Sequence, residues 1–372
     1  MIGVTATSTT VSSDLPDMTS ASVVTRIRDY ALGPTRFMTL YSCFELGILD
    51  FLRDHPDGGH TVAEIAAAVG VRESPVEQLL HLMVKDDFVR FDDATGRYAA
   101  DGLASLSSDE YTRVFRLMTM IKTVCLRQLY YLTDSVRTGT VAGLKEVYGF
   151  DGTLYEACGQ HQDLNQAWSS HMNQTTSLID PWFFANTDIP AGSRVLDLAG
   201  HTGLGAILTY QHNRAKNLRV TCFDFPEKEA EALANFRANG VDEHCDYVGG
   251  DVFKGLPEGY DTVLIKHFLD QFDGENVLRI LRAVNACLKP GGVVYALVPT
   301  YPEDVKGSSQ ADFFPAYFLG CSMGEGGPQK VSTYRQWMES CGFRVTQTIT
   351  HDTSEKPPEM IHVHSILRGE KV

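Results

Sequence analysis

The chain has 372 residues, of which 43% are hydrophobic, and a formal net charge of -15. This length favours two domains with sizeable cores. The negative charge disfavours a nucleic-acid partner, because phosphate binding depends on clustered lysines and arginines. The sequence has no apolar run near the roughly 18 residues that span a bilayer, so we expect no membrane partner.

The cysteines and the N-terminus both bear on localisation. Eight cysteines are scattered without CxxC spacing, which predicts neither a disulfide framework nor a zinc site. Reduced thiols are typical of a cytoplasmic protein. Residues 1–22 are rich in Ser and Thr and lack the basic and apolar regions of a signal peptide, so we predict a disordered leader there.

The next segment has the pattern of a winged helix. From Ala21 apolar residues recur at spacings of three and four, with a break at Gly47, which predicts helices. Thr61 and Ser74 each precede a glutamate by three residues, which indicates capping boxes at the start of two short helices. DFVRF and RYAA, joined by DDATG, predict a two-stranded wing. Residues 23–105 are therefore predicted to be a winged-helix domain.

A winged helix raises the question of DNA binding. The helix that would enter the major groove, PVEQLLHLMVKDD, has only His81 and Lys85 as basic residues, whereas base and phosphate contacts need several basic or amide side chains. A dimerisation or lid module is therefore favoured over a transcription factor. Residues 106–185 continue as Met-rich and aromatic helices, a composition typical of a core or of an adaptable aromatic pocket.

Strands and helices alternate in the last half of the chain. RVLDLAG, RVTCFDF, CDYVGGDVF, YDTVLIKHF and GGVVYALVP predict strands, with helical segments between them. This rhythm predicts an α/β fold for residues 186–372, with a Rossmann-like parallel sheet. Ligands of such sheets bind beyond the carboxyl ends of the strands.

Acidic residues follow that edge of the predicted sheet. Asp197, Asp224 and Asp251 end the first three strands. Gly200 and Gly203 follow the first and let the backbone pass close to a ligand at a helix start. Asp224 lies where a carboxylate accepts both hydroxyls of a ribose, and Asp251 lies where an adenine edge is expected.

These residues, with FDFP, GGDVF, LKPGG and the final WMESCGFRV, carry a family resemblance. The chain resembles the two-domain class I S-adenosylmethionine-dependent O-methyltransferases that act on small molecules in plant phenylpropanoid and bacterial natural-product biosynthesis. The resemblance covers nearly everything after residue 22, including FELGILDFL of the dimerisation module. It implies a Rossmann-like methyltransferase domain preceded by a mostly helical winged-helix dimerisation domain. It also implies an interlocked homodimer, with the acceptor pocket between the two domains.

The resemblance implies S-adenosylmethionine as cofactor and S-adenosylhomocysteine as product. The family pattern is Asp, any residue, three glycines, any residue and a last glycine. In this chain Ala199 and His201 replace two of the glycines. His201 is expected either over the cofactor or toward solvent. An NAD enzyme is disfavoured, because the GxGxxG fingerprint is absent. We expect the cofactor site to comprise Asp197, Gly200, Gly203, Asp224, Asp251, Val252, Phe253 and Lys266.

The segment that carries the catalytic base in the family differs in this chain. In the family it is a histidine in a segment similar to LHDW; here the segment is LDQF, which places Asp270 at the histidine position. The two glutamates that orient it align with Val298 and Gln329. Either Asp270 is the base, with a pKa raised by an apolar pocket, or His267 is the base and shares a helical face with Asp270.

Two further roles stay open for this segment. His267 could be buried under the sheet while Asp270 only caps the next helix. Asp270 could instead bind an ammonium group, which a tyrosine-like acceptor would supply together with a phenol. We expect the acceptor pocket to be lined by one helix and by the segment after the fifth strand, through Trp168, His171, Met172, Phe313, Phe314 and Tyr317.

No metal is expected. His362 and His364 would share one face of a strand, but a terminal strand with outward-facing polar residues is favoured over a metal pair. The sequence therefore predicts methyl transfer to a small aromatic acceptor, with a phenolic oxygen of a tyrosine-like compound as the first choice. Methylation of an aromatic carbon, or non-methylating use of the bound sulfonium, are the alternatives.

Overall fold

The computed structural model describes residues 19–301, 303, 314–351 and 363–372. The chain divides into two units between Phe115 and Arg116. Within the described ranges, no helix combines the length and apolarity needed to cross a membrane.

The N-terminal unit has the predicted helices and wing. The first helix ends just before Gly47, whose φ of 75° is the left-handed conformation that breaks the helical run. The next three helices precede an antiparallel hairpin. Its elements are α1 (Ser20–Glu45), α2 (Ile48–Asp54), α3 (Val62–Val69), α4 (Glu73–Lys85), β1 (Val89–Asp92) and β2 (Arg97–Ala100).

One of the two predicted capping boxes is present. The Thr61 hydroxyl accepts from the backbone N–H of Glu64, whose carboxylate accepts in return from the N–H of Thr61. The second prediction, at Ser74, is wrong. Helix α4 begins at Glu73 with Arg72 as its N-cap, so Ser74 lies inside the first turn and no side chain caps that end.

Short helices follow the division between the units. A π-helical turn at Ile121–Leu126 continues the helix that crosses the division. These helices surround a cluster of buried apolar side chains that includes Leu144, Leu164 and Phe318. The elements are α5 (Ser108–Met120), α6 (Arg127–Leu129), α7 (Leu132–Thr138), α8 (Ala142–Tyr148), α9 (Leu154–Cys158) and α10 (Gln162–Ala185).

The remainder of the chain alternates strands with helices, as predicted. Its elements are β3 (Arg194–Leu198), α11 (Leu204–His212), β4 (Arg219–Asp224), α12 (Glu229–Ala238), β5 (Cys245–Gly249), β6 (Tyr260–Lys266), α13 (Gly274–Cys287), β7 (Leu288–Tyr301), α14 (Phe314–Tyr317), β8 (Gln329–Lys330), α15 (Val331–Ser340), β9 (Phe343–Thr350) and β10 (His364–Lys371).

The strand order places a crevice between two neighbouring strands. The order is β5-β4-β3-β6-β7-β10-β9, with β8 beside β7. Strands β3 to β7 are parallel, whereas β10 runs antiparallel to both of its neighbours. The strand order reverses between β3 and β6, which is where ligands bind in doubly wound sheets. The α/β Rossmann-like prediction is confirmed.

Both faces of this sheet are buried. Leu196 and Leu198 of β3 point to the side covered by α13 and α15, and Val195 points to the side covered by α10, α11 and α12. Burial on both faces explains why these strands are continuous apolar runs in the sequence. It also holds the strand ends rigidly, which is what a binding site at their edge requires.

The position of the last strand contradicts one expectation. Strand β10 lies inside the sheet, between β7 and β9, and is not a terminal strand with polar side chains facing outward. His364, at its start, is only 2% exposed. His362 lies outside the described residues.

Candidate active site

Four charged residues lie at the carboxyl edge of neighbouring parallel strands. Asp197 is the fourth residue of β3, Asp224 and Lys266 are the last residues of β4 and β6, and Asp251 follows β5 by two residues. Because these strands are adjacent and parallel, their carboxyl ends meet at the same edge. The structure therefore brings together the residues predicted to hold the cofactor.

The loop after β3 keeps a glycine-like backbone although two glycines are replaced. Ala199 has a φ of 60° and His201 a φ of 51°, both in the left-handed region that costs a non-glycine residue roughly 1–2 kcal/mol. Gly203, at the start of α11, has a φ of 84°. The loop thus has a backbone conformation that glycine favours, and it stores strain at Ala199 and His201.

Small residues let this loop lie against the Asp197 carboxylate. A Cβ added to Gly200 would lie 2.7 Å from Asp197 Oδ2 and 2.6 Å from Cys222 Sγ. At Gly205 the added Cβ would lie 2.5 Å from the same carboxylate oxygen. The sequence analysis missed Gly205, although its position in the first turn of the helix after the loop could have indicated it.

Asp197 is buried with one oxygen available. The residue is 1% exposed, and its Oδ2 has no hydrogen-bond partner within the described residues. Burial raises the pKa of this carboxyl to about 6, against the lowering effect of the Lys266 charge. A buried polar atom left without a partner requires an explanation, and a hydrogen-bond donor of a ligand would supply one.

Lys266 forms a buried ion pair that the sequence analysis did not predict. Its Nζ lies 2.7 Å from Oδ2 of Asp180, and both side chains are almost fully buried. Burial lowers the pKa of Lys266, but the charges of Asp180 and Asp197 outweigh it and the net shift is upward. Lys266 is therefore positively charged, and it offsets the negative charges of Asp180 on α10 and Asp197 on β3. An aspartate within the apolar run SLIDPWFF was the available signal.

Asp224 is held by two backbone donors. Its Oδ2 accepts from the N–H of His201 at 2.8 Å, and its Oδ1 accepts from the N–H of Phe225 at 2.7 Å. Burial raises the pKa of this carboxyl, while these two donors lower it. A carboxylate has about four lone-pair directions, so the fixed group can still accept hydroxyl donors.

The GGDVF segment adopts a tight turn. Asp251 Oδ1 accepts from the N–H of Phe253 at 2.9 Å, and its other oxygen lies 3.5 Å from Lys254 Nζ. Val252 is buried. The ring of Phe253 contacts the Arg279 guanidinium at 4.6 Å. These contacts fix the backbone at the end of β5, where the adenine edge was expected.

Trp168 lies at the centre of an aromatic cluster. Its Nε1 donates to the hydroxyl of Tyr317 at 3.0 Å. The ring of Tyr155 lies 5.3 Å from it, edge to face, and that of His201 lies 5.5 Å away. His201 therefore packs on the helix predicted to contact the acceptor and does not simply point to solvent. Burial lowers the pKa of His201 to about 4, which keeps its imidazole neutral.

The other predicted acceptor residues differ in burial. His171, on α10, has a Nδ1 without a hydrogen-bond partner in the described part of the chain, and burial lowers its pKa to about 4. Met172 follows it and is half-buried. Phe314 is 6% exposed and packs in the same apolar cluster as Trp168 and Tyr317. Phe313 lies outside the described residues.

Asp270 lies in a short 3-10 turn, Leu269–Gln271, after β6. The residue is 4% exposed, and burial raises the pKa of its carboxyl to about 7. Its Oδ2 accepts a long hydrogen bond of 3.4 Å from Gln271 Nε2, and its Oδ1 has no partner among the described residues. Asp273, and not Asp270, caps the following helix α13, so the capping alternative is wrong.

His267 is separate from this turn. It has a φ of 52° and lies outside the 3-10 helix, which begins at Leu269. Its Nδ1 lies 3.3 Å from Nε2 of His364. The expectation that His267 and Asp270 share one helical face is therefore wrong, because the chain turns sharply at His267 before the helix starts.

The two positions that the resemblance assigns to orienting glutamates carry no charge. Val298 is fully buried in β7. Gln329, in β8, donates from Nε2 to the carbonyl of Gly327 at 3.2 Å. Within the described ranges, no group of three His, Cys, Asp or Glu side chains could hold a metal ion. These two positions therefore supply no charged group that could orient a base.

The loop geometry predicts a strong effect at Gly203. A Cβ there would lie 2.4 Å from the Phe236 ring, at a φ of 84°. We expect Gly203→Ala to lower the free energy of unfolding by roughly 3 kcal/mol, from left-handed strain plus overpacking, in urea denaturation. The matched control is Gly240→Ala, which has a φ of 63° and no described heavy atom within 4 Å. Equal losses in both variants would show that the Phe236 contact contributes nothing.

Two family models match this chain. A family model described as an O-methyltransferase domain matches residues 129–344, more than half of the chain. A second model, described as an O-methyltransferase dimerisation domain, matches residues 28–108. The two models together span most of the chain, and the division between its two units lies in residues 109–128 that separate them.

Relatives and solved structures agree with these models. The chain is 27% identical to 3-amino-4-hydroxybenzoate 4-O-methyltransferase of Streptomyces cremeus, over 87% of this chain and 86% of the relative. It is 22% identical to L-tyrosine C(3)-methyltransferase of Streptomyces lavendulae, over 84% of each. Human N-acetylserotonin methyltransferase, solved in complex with S-adenosylmethionine, has a similar fold, with a TM-score of 0.74, 22% identity and coverage of 96% of this chain and 99% of that one.

Proposed function

This chain belongs to the O-methyltransferase family, and we propose that it methylates a phenolic oxygen of a small aromatic acceptor in natural-product biosynthesis. The observation that carries the proposal is the placement of a buried carboxyl, Asp270, just after the strand that ends at Lys266. The carboxylates of Asp197 and Asp224 lie at the same edge of the sheet. Proton removal and cofactor binding thus fall on neighbouring parts of one edge.

The residues at this edge fit S-adenosylmethionine. The unpartnered Oδ2 of Asp197 lies against the loop after β3 and the first turn of α11, which come so close only because residues 200 and 205 are glycines. A donor group of the ligand would satisfy this oxygen. Asp224, fixed by two backbone N–H groups, presents lone pairs suited to the two hydroxyls of a ribose. The turn of Asp251, Val252 and Phe253 would border the adenine.

The bound cofactor supplies an electrophilic methyl group on a sulfonium. The chain's own contribution is to hold the acceptor in line and to remove its proton. We assign proton removal to Asp270, because its Oδ1 has no hydrogen-bond partner among the described residues, whereas His267 already contacts His364. Trp168, Met172 and Tyr317 would flank the acceptor ring.

A tyrosine-like or amino-substituted phenol is the proposed acceptor. The two relatives named above act, by their names, on 3-amino-4-hydroxybenzoate and on L-tyrosine. Both molecules combine a phenol with an amino group. Methylation of an aromatic carbon is the second candidate, since the tyrosine relative is a C-methyltransferase and the same base would serve that reaction.

We propose that the protein acts as a homodimer. The dimerisation-domain match covers residues 28–108. Helix α1 presents several apolar side chains to solvent in the single chain, including Val24 at 61%, Ile27 at 62% and Tyr30 at 84% exposure, and such a patch is typical of an interface. A monomer mass in light scattering would contradict this proposal.

We propose a cytoplasmic location and no nucleic-acid partner. All eight cysteines are buried and none is in a disulfide, which fits a reducing compartment. The net charge of -15 disfavours binding to phosphate backbones. Formation of an intramolecular disulfide in the purified native protein would contradict the cytoplasmic location. Salt-sensitive DNA binding would contradict the absence of a nucleic-acid partner.

The test of function is mass spectrometry of the protein incubated with S-adenosylmethionine and either L-tyrosine or 3-amino-4-hydroxybenzoate. The expected result is a product heavier by one methyl group, together with S-adenosylhomocysteine. Fragmentation would place the methyl on oxygen or on carbon. A protein that binds S-adenosylmethionine yet methylates neither compound would contradict the proposed acceptor class and favour a non-methylating relative.

The cofactor site gives its own prediction. We expect Asp224→Ala to weaken S-adenosylmethionine binding roughly thirtyfold in calorimetry, since a hydrogen bond to a charged group contributes about 2 kcal/mol. Asp246→Ala is the matched control, because Asp246 is exposed on β5. Equal affinities in the two variants would remove Asp224 from the site.

A further inference from the structure

A polar network that neither the family resemblance nor the sequence pattern indicates lies beside Asp270. The hydroxyl of Tyr155 donates to Oε1 of Gln271. The hydroxyl of Ser322 lies 3.1 Å from the same Oε1 and 3.2 Å from the Tyr155 oxygen. Gln271 is 8% exposed and Ser322 is fully buried. The network therefore joins α9, the turn after β6 and the segment after α14.

This network fixes the orientation of one amide. A glutamine side chain has an acceptor at one end and two donors at the other. A hydroxyl group can donate or accept, whereas an ionised carboxylate only accepts, so the Asp270 carboxylate requires the NH2 end and leaves Oε1 to accept from the two hydroxyl groups. The NH2 end points to Asp270, with Nε2 at 3.4 Å from Oδ2. Burial raises the pKa of Tyr155, so its phenol keeps its proton and remains a donor.

We propose that Gln271 is a positioning residue for the Asp270 carboxylate and that Tyr155 and Ser322 hold it in place. The inference rests on the proposed function, in which Asp270 is the base. The amide takes over the orienting task that the resemblance gives to glutamates, at positions now occupied by Val298 and Gln329.

The two oxygens of Asp270 then have different tasks. Oδ2 is engaged by the amide, while Oδ1 has no hydrogen-bond partner among the described residues. Fixing Oδ2 stops the carboxyl from rotating, so Oδ1 stays directed toward the acceptor. An amide donor also favours the ionised form of a carboxyl group. Gln271 thus keeps a deeply buried acid available as a base, and it adds no second charge beside it.

The test is a titration of Asp270 itself, which requires no turnover. Full-length protein carrying 13C at the aspartate carboxyl carbons, with S-adenosylhomocysteine added, is titrated by NMR, and the Asp270 signal is identified by its loss in Asp270→Asn. We expect Gln271→Met, which keeps side-chain volume without hydrogen bonds, to move the Asp270 midpoint to higher pH by about half a pH unit to one pH unit. The double variant Tyr155→Phe/Ser322→Ala should move it in the same direction by a smaller amount.

Tyr148→Phe is the matched control, since it also removes a phenol hydroxyl from the same helical region, one that donates to the carbonyl of Thr123 at 3.3 Å. Its midpoint should equal that of the wild type. An unchanged midpoint in Gln271→Met would overturn the inference while leaving Asp270 as a candidate base. An unchanged midpoint in the double variant alone would overturn the role of Tyr155 and Ser322. Full turnover in Asp270→Asn would overturn the proposed base, and the inference with it.

Discussion

Replacing Asp270 with asparagine is expected to reduce single-turnover methylation roughly 10²- to 10⁴-fold, the range that general acid–base catalysis contributes. The amide has nearly the same shape, so packing around the turn Leu269–Gln271 is preserved. It cannot accept a proton from the acceptor hydroxyl. Affinity for S-adenosylmethionine should stay within experimental error, because Asp197 and Asp224 are unchanged.

The matched control is Asp273→Asn, three residues further on. Asp273 caps α13 through a 2.8 Å hydrogen bond from the N–H of Asn276, and asparagine caps helices equally well. Turnover in this control should equal that of the wild type. If Asp270→Asn is as active as Asp273→Asn, Asp270 is not the base.

The pH dependence of turnover provides a second measure of the same carboxyl. Burial raises the pKa of Asp270 to about 7. A base acts in its deprotonated form, so the rate should rise with pH through about 7 and level off above it. Asp270→Asn should remove this dependence from its residual rate.

The same raised pKa affects stability in the opposite sense. At acidic pH the folded protein holds a proton on Asp270 that the unfolded chain binds less tightly. The resulting contribution to stability is fully present below the ordinary aspartate pKa and is lost as the pH rises through about 7. Turnover and the contribution of Asp270 to folding therefore change in opposite directions as the pH rises.

The meeting of Asp197 and Asp224 at one edge of the sheet was predictable, because both residues follow local patterns. Asp197 and Asp224 end or nearly end apolar runs, and parallel strands bring such ends together. The loop was harder to interpret, since Ala199 and His201 stand where glycines were expected. Their φ values of 60° and 51° show that both residues adopt the left-handed conformation that glycine favours. Sequence could reveal the substitution, but not that the strain is tolerated.

The acceptor half was not predictable in the same way. Tyr155, Gln271 and Ser322 come from segments far apart in the chain, and their hydrogen bonds depend on tertiary packing that periodicity does not encode. The same holds for His364, whose burial follows from β10 lying inside the sheet. The resemblance directed attention to position 270, yet it could not identify the groups around it.

Gly326→Ala is expected to lower kcat about a hundredfold, because displacing a catalytic group by about 1 Å has effects of that size. A Cβ at Gly326 would lie 2.5 Å from the carbonyl oxygen of Gln271 and 2.7 Å from that of Asp270. Both are backbone atoms, so no side-chain rotation relieves the contact. The neighbouring Gly327 N–H donates to the Asp270 carbonyl at 2.8 Å, so the two segments must move together.

Gly192→Ala separates this displacement from backbone strain. Gly192 has a φ of 73°, close to the 86° of Gly326, but no described heavy atom lies within 4 Å of an added Cβ. Both variants should lose about 1–2 kcal/mol from the left-handed conformation, whereas only Gly326→Ala should lose turnover. S-adenosylmethionine affinity, measured in parallel, should be unchanged in both. Wild-type turnover in Gly326→Ala would mean that the turn carrying Asp270 can be displaced without loss of activity. A carboxylate held in place for proton removal would not tolerate that displacement.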